Sequence, residues 1–228
     1  MFFSFSYNPY IAIIGDIKKS KKLKDRKVVQ NKLKIKLDYI NEKYRQDISA
    51  KFMITLGDEF QGLLRDGSNI IEMIEELQRE MYPVEIRFGL GVGAITTDIN
   101  SEMAIGADGP GYYKARQAID FLKQNELKNM TSVSDIRIEA DGDNESTIVM
   151  LNTILSLLAV LKTNWTNRQR EIIWDSLKYE DGQGKSAERL SIAQSSVQRG
   201  LNNGNYYAYK GALDTVSNIL KQIRGEDV

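Results

Sequence analysis

The sequence contains no cysteine and no histidine among its 228 residues. The first absence excludes disulfides, thiolate metal sites and cysteine nucleophiles. The second removes the commonest general base and the usual zinc ligand. Chemistry must then fall to carboxylates, Lys, Arg, Tyr, Ser/Thr or a bound metal. Excess charge is missing too: 31 basic residues balance 31 acidic ones, so nucleic-acid contact would need a local patch. The apolar run Ile148–Leu161 falls short of the ~20 residues that span a bilayer, and Asn152 and Ser156 interrupt it. The N-terminal MFFSFSYNPY lacks a basic n-region and a small-residue cleavage site, so it does not read as a signal peptide. A cytoplasmic protein without membrane insertion is expected. What is present is a 42% hydrophobic chain, enough for a real core in one large domain or two small ones.

Two stretches carry the strongest signals. In Lys51–Leu64, KFMITLGDEFQGLL, Phe52, Ile54 and Leu56 alternate with Met53 and Thr55, and Phe60, Gly62 and Leu64 continue the pattern beyond a turn. This predicts a hairpin, with Gly57 supplying the turn's backbone freedom and Asp58 and Glu59 at its tip. In Tyr10–Ile17, YIAIIGDI, a continuous apolar strand ends in Gly15-Asp16. A strand apolar on both faces belongs in the middle of its sheet, and Asp16 stands at the end where α/β sheets place ligands. If the two strands are neighbours, Asp16, Asp58 and Glu59 offer oxygen ligands to Mg2+ or Mn2+, completed by water and substrate phosphates. Otherwise Asp58 and Glu59 are ordinary solvated turn acids.

The basic tract Lys18–Lys27 is either a solvated loop or a phosphate-facing turn presenting Lys18, Ser20, Lys21, Lys22 and Arg26. Helices are predicted over Val28–Tyr44 and Ile70–Met81, the second capped by Ser68 or Asn69 and ended ahead of Pro83. Val84–Ile95 reads as a strand whose Gly89, Gly91 and Gly93 share one face. Three glycines in register predict something packed closely there, a helix, the next strand or a nucleotide, the helix being the first expectation. Ile105–Gly111 is a glycine-rich loop before the helix Tyr112–Gln124, either an anion cradle or a plain connection. Lys114 and Arg116 in that helix could reach a phosphate. A fifth strand is predicted over Ser132–Ala140, followed by a linker, Asp141–Ser146.

From Thr147 only helices are expected. Thr147–Asn164 is apolar on more than one side and should be buried against the first domain, the second or a dimer mate. Thr166-Asn167-Arg168-Gln169 fits a capping box. Ser186–Leu201 has the spacing of a helix, a short turn and a second helix. That second helix would offer Gln194, Ser195, Ser196, Gln198 and Arg199 to a DNA major groove, or the pair is a helical hairpin used only for packing. Gly200 and Gly204 are expected to weaken it, and Tyr206–Gly211 (YYAYKG) suits stacking, packing or dimerisation.

LGDEF at Leu56–Phe60, GDI at Gly15–Ile17, RFGLGVGAI at Arg87–Ile95 and GADGPGYYKARQAI at Gly106–Ile119 occur in the order of the class III nucleotide cyclase and GGDEF superfamily, which the first ~140 residues resemble. The whole chain resembles the SatD family. Trp165–Ile173 and Glu188–Leu201 also resemble helices of bacterial transcription regulators.

The resemblance implies an α+β architecture: a ferredoxin-like, nucleotide-cyclase-like palm (residues 1–143) followed by an all-α helix-turn-helix domain (144–228). It implies that Asp16 and Asp58, with Glu59 beside them, hold Mg2+ and through it a nucleoside triphosphate, with Ile17, Lys18, Ser20, Arg26, Gly57, Lys114 and Arg116 around the nucleotide. By analogy it implies a homodimer. Leu56 replaces the first Gly of GGDEF, Tyr113 falls where cyclases carry Asn, and Arg116 is displaced by one from the cyclase Arg. These departures favour a nucleotide-binding, DNA-binding regulator over a metal-dependent cyclase or nucleotidyltransferase. A third reading is a degenerate palm serving as a protein-interaction module.

Overall fold

The computed structural model describes residues 2–127 and 134–225. The first two residues of the expected strand Ser132–Ala140 lie outside them. The chain forms two compact units, residues 1–156 with 216–228, and residues 157–215. The break falls within a helix, not in the Asp141–Ser146 tract.

The first unit runs β1 (Tyr10–Ile17), α1 (Arg26–Lys43), β2 (Ile48–Leu56), β3 (Glu59–Leu64), α2 (Ile70–Met81), β4 (Ile86–Gly93), α3 (Pro110–Leu127), β5 (Ile136–Ala140) and the start of α4 (Glu145–Thr163). The strands form one mixed sheet in the order β2-β3-β1-β4-β5. β1 is antiparallel to both β3 and β4, and β5 is parallel to β4. The first four strands with α1 and α2 follow the split β-α-β-β-α-β order, and β5 extends that sheet on the β4 side.

β1 is central because it is apolar on both faces: Ile11 through Ile17 are all buried. On one face Ile13, Phe52, Phe60 and Phe88 meet Leu37 and Ile40 of α1 and Met73, Ile74 and Leu77 of α2. On the other, Ala12, Ile14, Ala50 and Leu63 pack with Tyr112, Ala115 and Ile119 of α3. The glycine row of β4 admits that helix. A Cβ on Gly89 would lie 2.7 Å from the Ile119 backbone nitrogen, and one on Gly93 would lie 2.8 Å from that of Gly111. The close neighbour expected on the bare face is α3.

One local expectation is corrected. Asn69 stands at the N-cap of α2, but its side chain makes no capping bond; its Nδ2 donates to Asp47 Oδ2 at 2.7 Å instead. Within this chain only part of α4 is buried. Leu151, Leu155, Leu158 and Ala159 are buried, whereas Val149, Met150, Leu157 and Val160 are exposed. By length and composition α4 could cross a membrane. Within it Asn152 makes a pair of bonds to strand β5, accepting from the Ile138 N–H at 2.9 Å and donating to its carbonyl at 2.8 Å. This amide caps the open edge of the sheet, which would otherwise leave backbone groups unpaired.

The second unit holds the end of α4, α5 (Asn167–Tyr179), α6 (Gln183–Arg189), α7 (Gln194–Asn203) and most of α8 (Tyr206–Leu220). The capping box forms: Thr166 accepts from the Gln169 N–H, and Gln169 accepts from the Thr166 N–H. Thr166→Ala is expected to lower the stability of this unit by about 1 kcal/mol, read from urea unfolding followed at Trp165 and Trp174. Gly200 and Gly204 play a different part from the expected weakening of α7. Each lies so close to α5, against Ile172 and Ile173 respectively, that a Cβ would collide. Their cost in helix propensity comes with a close approach to the Cδ1 ends of these isoleucines, which would have to shift to admit a larger residue. Trp165 closes the same core, donating from Nε1 to the Gly204 carbonyl at 2.8 Å and meeting Tyr209 edge-on at 4.7 Å.

Candidate functional site

The register of β1 determines which residues converge. Asp16 pairs with Glu59 on β3 and with Arg87 on β4. Directly opposed residues share a face, so Glu59, Asp16 and Arg87 form a row across three strands, on the face covered by α3. Arg87 has the same parity as Gly89, Gly91 and Gly93, a signal in the sequence that places it there.

α3 contributes two cations to this row. Arg116 and Lys123 are seven residues apart and so lie on one face of the helix. Arg116 forks Glu59 with bonds of 2.7 and 2.8 Å. Lys123 Nζ lies 3.0 Å from Asp16 Oδ1 and 3.6 Å from Glu59 Oε2. Arg87 lies 3.3 Å from Asp16 Oδ2 and reaches Glu126 at 2.9 Å. The two buried carboxyls respond in opposite directions. Burial raises Asp16 above its ordinary 3.8, the bond and charge of Lys123 and the charge of Arg87 opposing it while the charge of Asp58 adds to the rise. Burial also pushes Glu59 up, but the bonds and charges of Arg116 and Lys123 more than reverse this, so it sits below 4.5.

Asp58 approaches from the β2–β3 turn. Gly57 has φ +63°, which a glycine adopts freely, and its carbonyl accepts from Gln30 of α1. The Ile17 N–H donates to the Asp58 carbonyl at 3.0 Å, tying the turn to the end of β1. The Asp58 carboxylate accepts from the buried Ser20 hydroxyl and lies 3.8 Å from Arg26. Asp16, Ile17, Ser20, Arg26, Gly57, Asp58 and Glu59 are thus gathered at one end of the sheet. Glu59 is the first residue of β3 and not a turn residue.

Two expected members lie apart. Lys18 is drawn to Asp135 at 2.7 Å, and its N–H donates to Glu85, so it staples neighbouring chain segments. Lys114 precedes Arg116 by two residues, roughly 200° around the helix, and so faces away from Glu59. The glycine loop is also remote. Gly111 packs on Gly93, which pairs with Tyr10, six residues or about 20 Å of strand from Asp16. Tyr113 there donates to Asp108 at 2.9 Å. Sequence reasoning missed Arg87, Lys123, Glu126 and Asp135, because a charged residue on a helix or strand end looks solvated until its opposite number is known.

A Mg2+ ion needs only one or two carboxylates when phosphates and water complete it. Asp16 and Asp58 supply hard oxygen donors of that kind from two chain segments. Glu59 has both oxygens bonded by Arg116, and both oxygens of Asp16 face cations as well, Oδ1 Lys123 and Oδ2 Arg87. Among the described residues no group of three or more His, Cys, Asp or Glu gathers where it could hold a metal ion.

A model of the SatD family matches residues 10–219. The chain belongs to the SatD family. No curated protein matches it. Among solved structures, the guanylyl cyclase Cya2 is similar at 14% identity and a TM-score of 0.37, over 50% of this chain and 70% of that one. The catalytic core of a rhodopsin-guanylyl cyclase with converted specificity, in complex with ATPalphaS, is similar at 17% identity and a TM-score of 0.33, over 49% and 71%. Likeness at this level does not carry a ligand from one chain to another. On the second unit, Gln194, Ser195, Gln198 and Arg199 are exposed along α7 and Ser196 is half-buried.

Proposed function

We propose that this SatD-family protein binds a nucleoside triphosphate through Mg2+ or Mn2+ held by Asp16 and Asp58, and that the occupied first unit regulates DNA binding through α6 and α7. One observation carries the first part: two carboxylates 42 residues apart in sequence come near enough at the end of a central strand for the charge of Asp58 to raise Asp16, with Ser20 and Arg26 on Asp58. In this reading Asp16 and Asp58 hold the ion, the ion neutralises phosphate charge, and the exposed Arg26 guanidinium pairs with a phosphate oxygen. Ser20 orients the Asp58 carboxylate by its hydrogen bond. Glu59 anchors α3 through Arg116. Binding is favoured over turnover because Arg116, the arginine the family resemblance offers for transition-state charge, is already committed to Glu59.

The test is a thermal-shift panel of ATP, GTP, CTP and UTP, with and without Mg2+. A ligand at a hundred times its dissociation constant stabilises by about 2.7 kcal/mol, or roughly 5–10 °C for a protein of this size. The shift should require Mg2+ and vanish in Asp58→Asn. Absence of any magnesium-dependent shift would sink the nucleotide reading. For the DNA part, genomic fragments that bind wild type should lose affinity in Arg199→Ala; failure of any fragment to bind would remove the regulatory half.

A further inference from the structure

The charges of Asp16 and Glu59 are neutralised from within the protein, and one of the cations that does so occupies the position a metal ion would take. Lys123 Nζ lies between Asp16 Oδ1 at 3.0 Å and Glu59 Oε2 at 3.6 Å. Arg116 already satisfies both Glu59 oxygens, so the specific demand that Lys123 answers is that of Asp16. Arg116 is held by a rigid fork, whereas Lys123 is a point charge on a flexible stem, its side chain one-third exposed. Arg87, by contrast, is buried and shared with Glu126. Of the cations facing Asp16, Lys123 is the one that can leave without unpacking the sheet.

We propose that Lys123 is a resident cation that competes with the divalent ion for Asp16, so that metal enters only as this ammonium withdraws. This rests on the reading of Asp16 and Asp58 as metal ligands. The competition is electrostatic: the ammonium 3.0 Å from Oδ1 already neutralises this carboxylate, and a divalent ion on the same group would be repelled by it. Its withdrawal leaves α3 in place, because the helix is anchored by Ala115, Ile119 and the glycine row of β4. The metal-free site is charge-balanced, and metal affinity is set by how readily one lysine swings out.

The experiment is Mn2+ titration of the full chain, followed by isothermal calorimetry and by loss of the free-ion electron paramagnetic resonance signal. Wild type, Lys123→Gln, Lys123→Arg and Asp58→Asn are compared, each first checked for folding by circular dichroism. A nearby opposite charge shifts the proton affinity of a carboxylate by about tenfold or more, and the same charge acts against Mn2+ in the same direction. Lys123→Gln should therefore bind Mn2+ at least about tenfold more tightly than wild type. Lys123→Arg, which keeps the charge, should not gain. Equal or weaker binding by Lys123→Gln, or the same gain in Lys123→Arg, would overturn the resident-cation role while leaving the metal site standing. No Mn2+ binding by any variant, with or without ATP, would overturn the metal reading itself.

Discussion

Gly91→Val is expected to prevent the first unit from folding. A Cβ at this position would fall on the Gly111 carbonyl oxygen and the Ala115 backbone nitrogen, with the Ala115 Cα at 2.9 Å. These are backbone atoms of α3, which cannot rotate away as a side-chain end could. Relief requires lifting the helix from β4, which uncovers Ala12, Ile14, Ala115 and Ile119, all essentially fully buried. The cost should exceed about 4–5 kcal/mol, comparable with the whole stability of many domains. Soluble yield, circular dichroism and urea unfolding would check it. Gly184→Ala is the control: it sits in α6 with nothing within 4 Å and should be neutral or stabilising by about 1 kcal/mol. A folded, cooperative Gly91→Val protein would mean that α3 does not lie on β4 as described.

Arg116→Ala is the second large expected effect, and it acts through charge. The Glu59 carboxylate is 9% exposed and depends on this guanidinium for both its short bonds. Removing a partner from a buried pair costs about 3–5 kcal/mol. Here the Arg116 side chain is 44% exposed and Lys123 remains at 3.6 Å, so about 1–3 kcal/mol is expected. Glu59→Gln should cost less, because it leaves no buried charge behind.

The pH dependence follows from the two carboxyls. Glu59 is held below its ordinary 4.5, so the native state binds fewer protons there. Its stabilisation is present above 4.5 and is lost as pH falls through the lowered value. Asp16 is raised above 3.8, so its contribution runs the other way, present in acid and lost as pH rises through the raised value. In Arg116→Ala the Glu59 part should fade, leaving a flatter acid limb in stability measured against pH. An acid limb identical to that of wild type would show that Arg116 does not stabilise the Glu59 charge.

Much of the first unit was legible because its signals are local. β1 was expected over Tyr10–Ile17 and is found there, since an unbroken apolar run bounded by polar residues has few other uses. The same holds for the hairpin, for α2, and for the Thr166 cap. The glycine parity of β4 foretold a helix against it. Less legible were the features in which one residue serves two ends. Gly200 and Gly204 read as helix weakeners, because propensity is a single-helix property and the contact with Ile172 and Ile173 is not. Asn69 read as a cap until Asp47 appeared beside it. The apolar sides of α4 predicted burial, yet Val149 and Leu157 are exposed; periodicity reports what a helix is able to bury, and only packing shows what covers it.

The sequence by itself determined the strands, the helices and the two acids at strand end and turn, because spacing, turn chemistry and capping act over a few residues. Only the tertiary structure decided that Asp16 stands in a row with Glu59 and Arg87, that α3 lowers Arg116 and Lys123 onto that row, and that residues 216–225 return to the first unit. Those outcomes depend on strand register and on how closely a helix approaches three glycines, and both are settled by packing between residues distant along the chain.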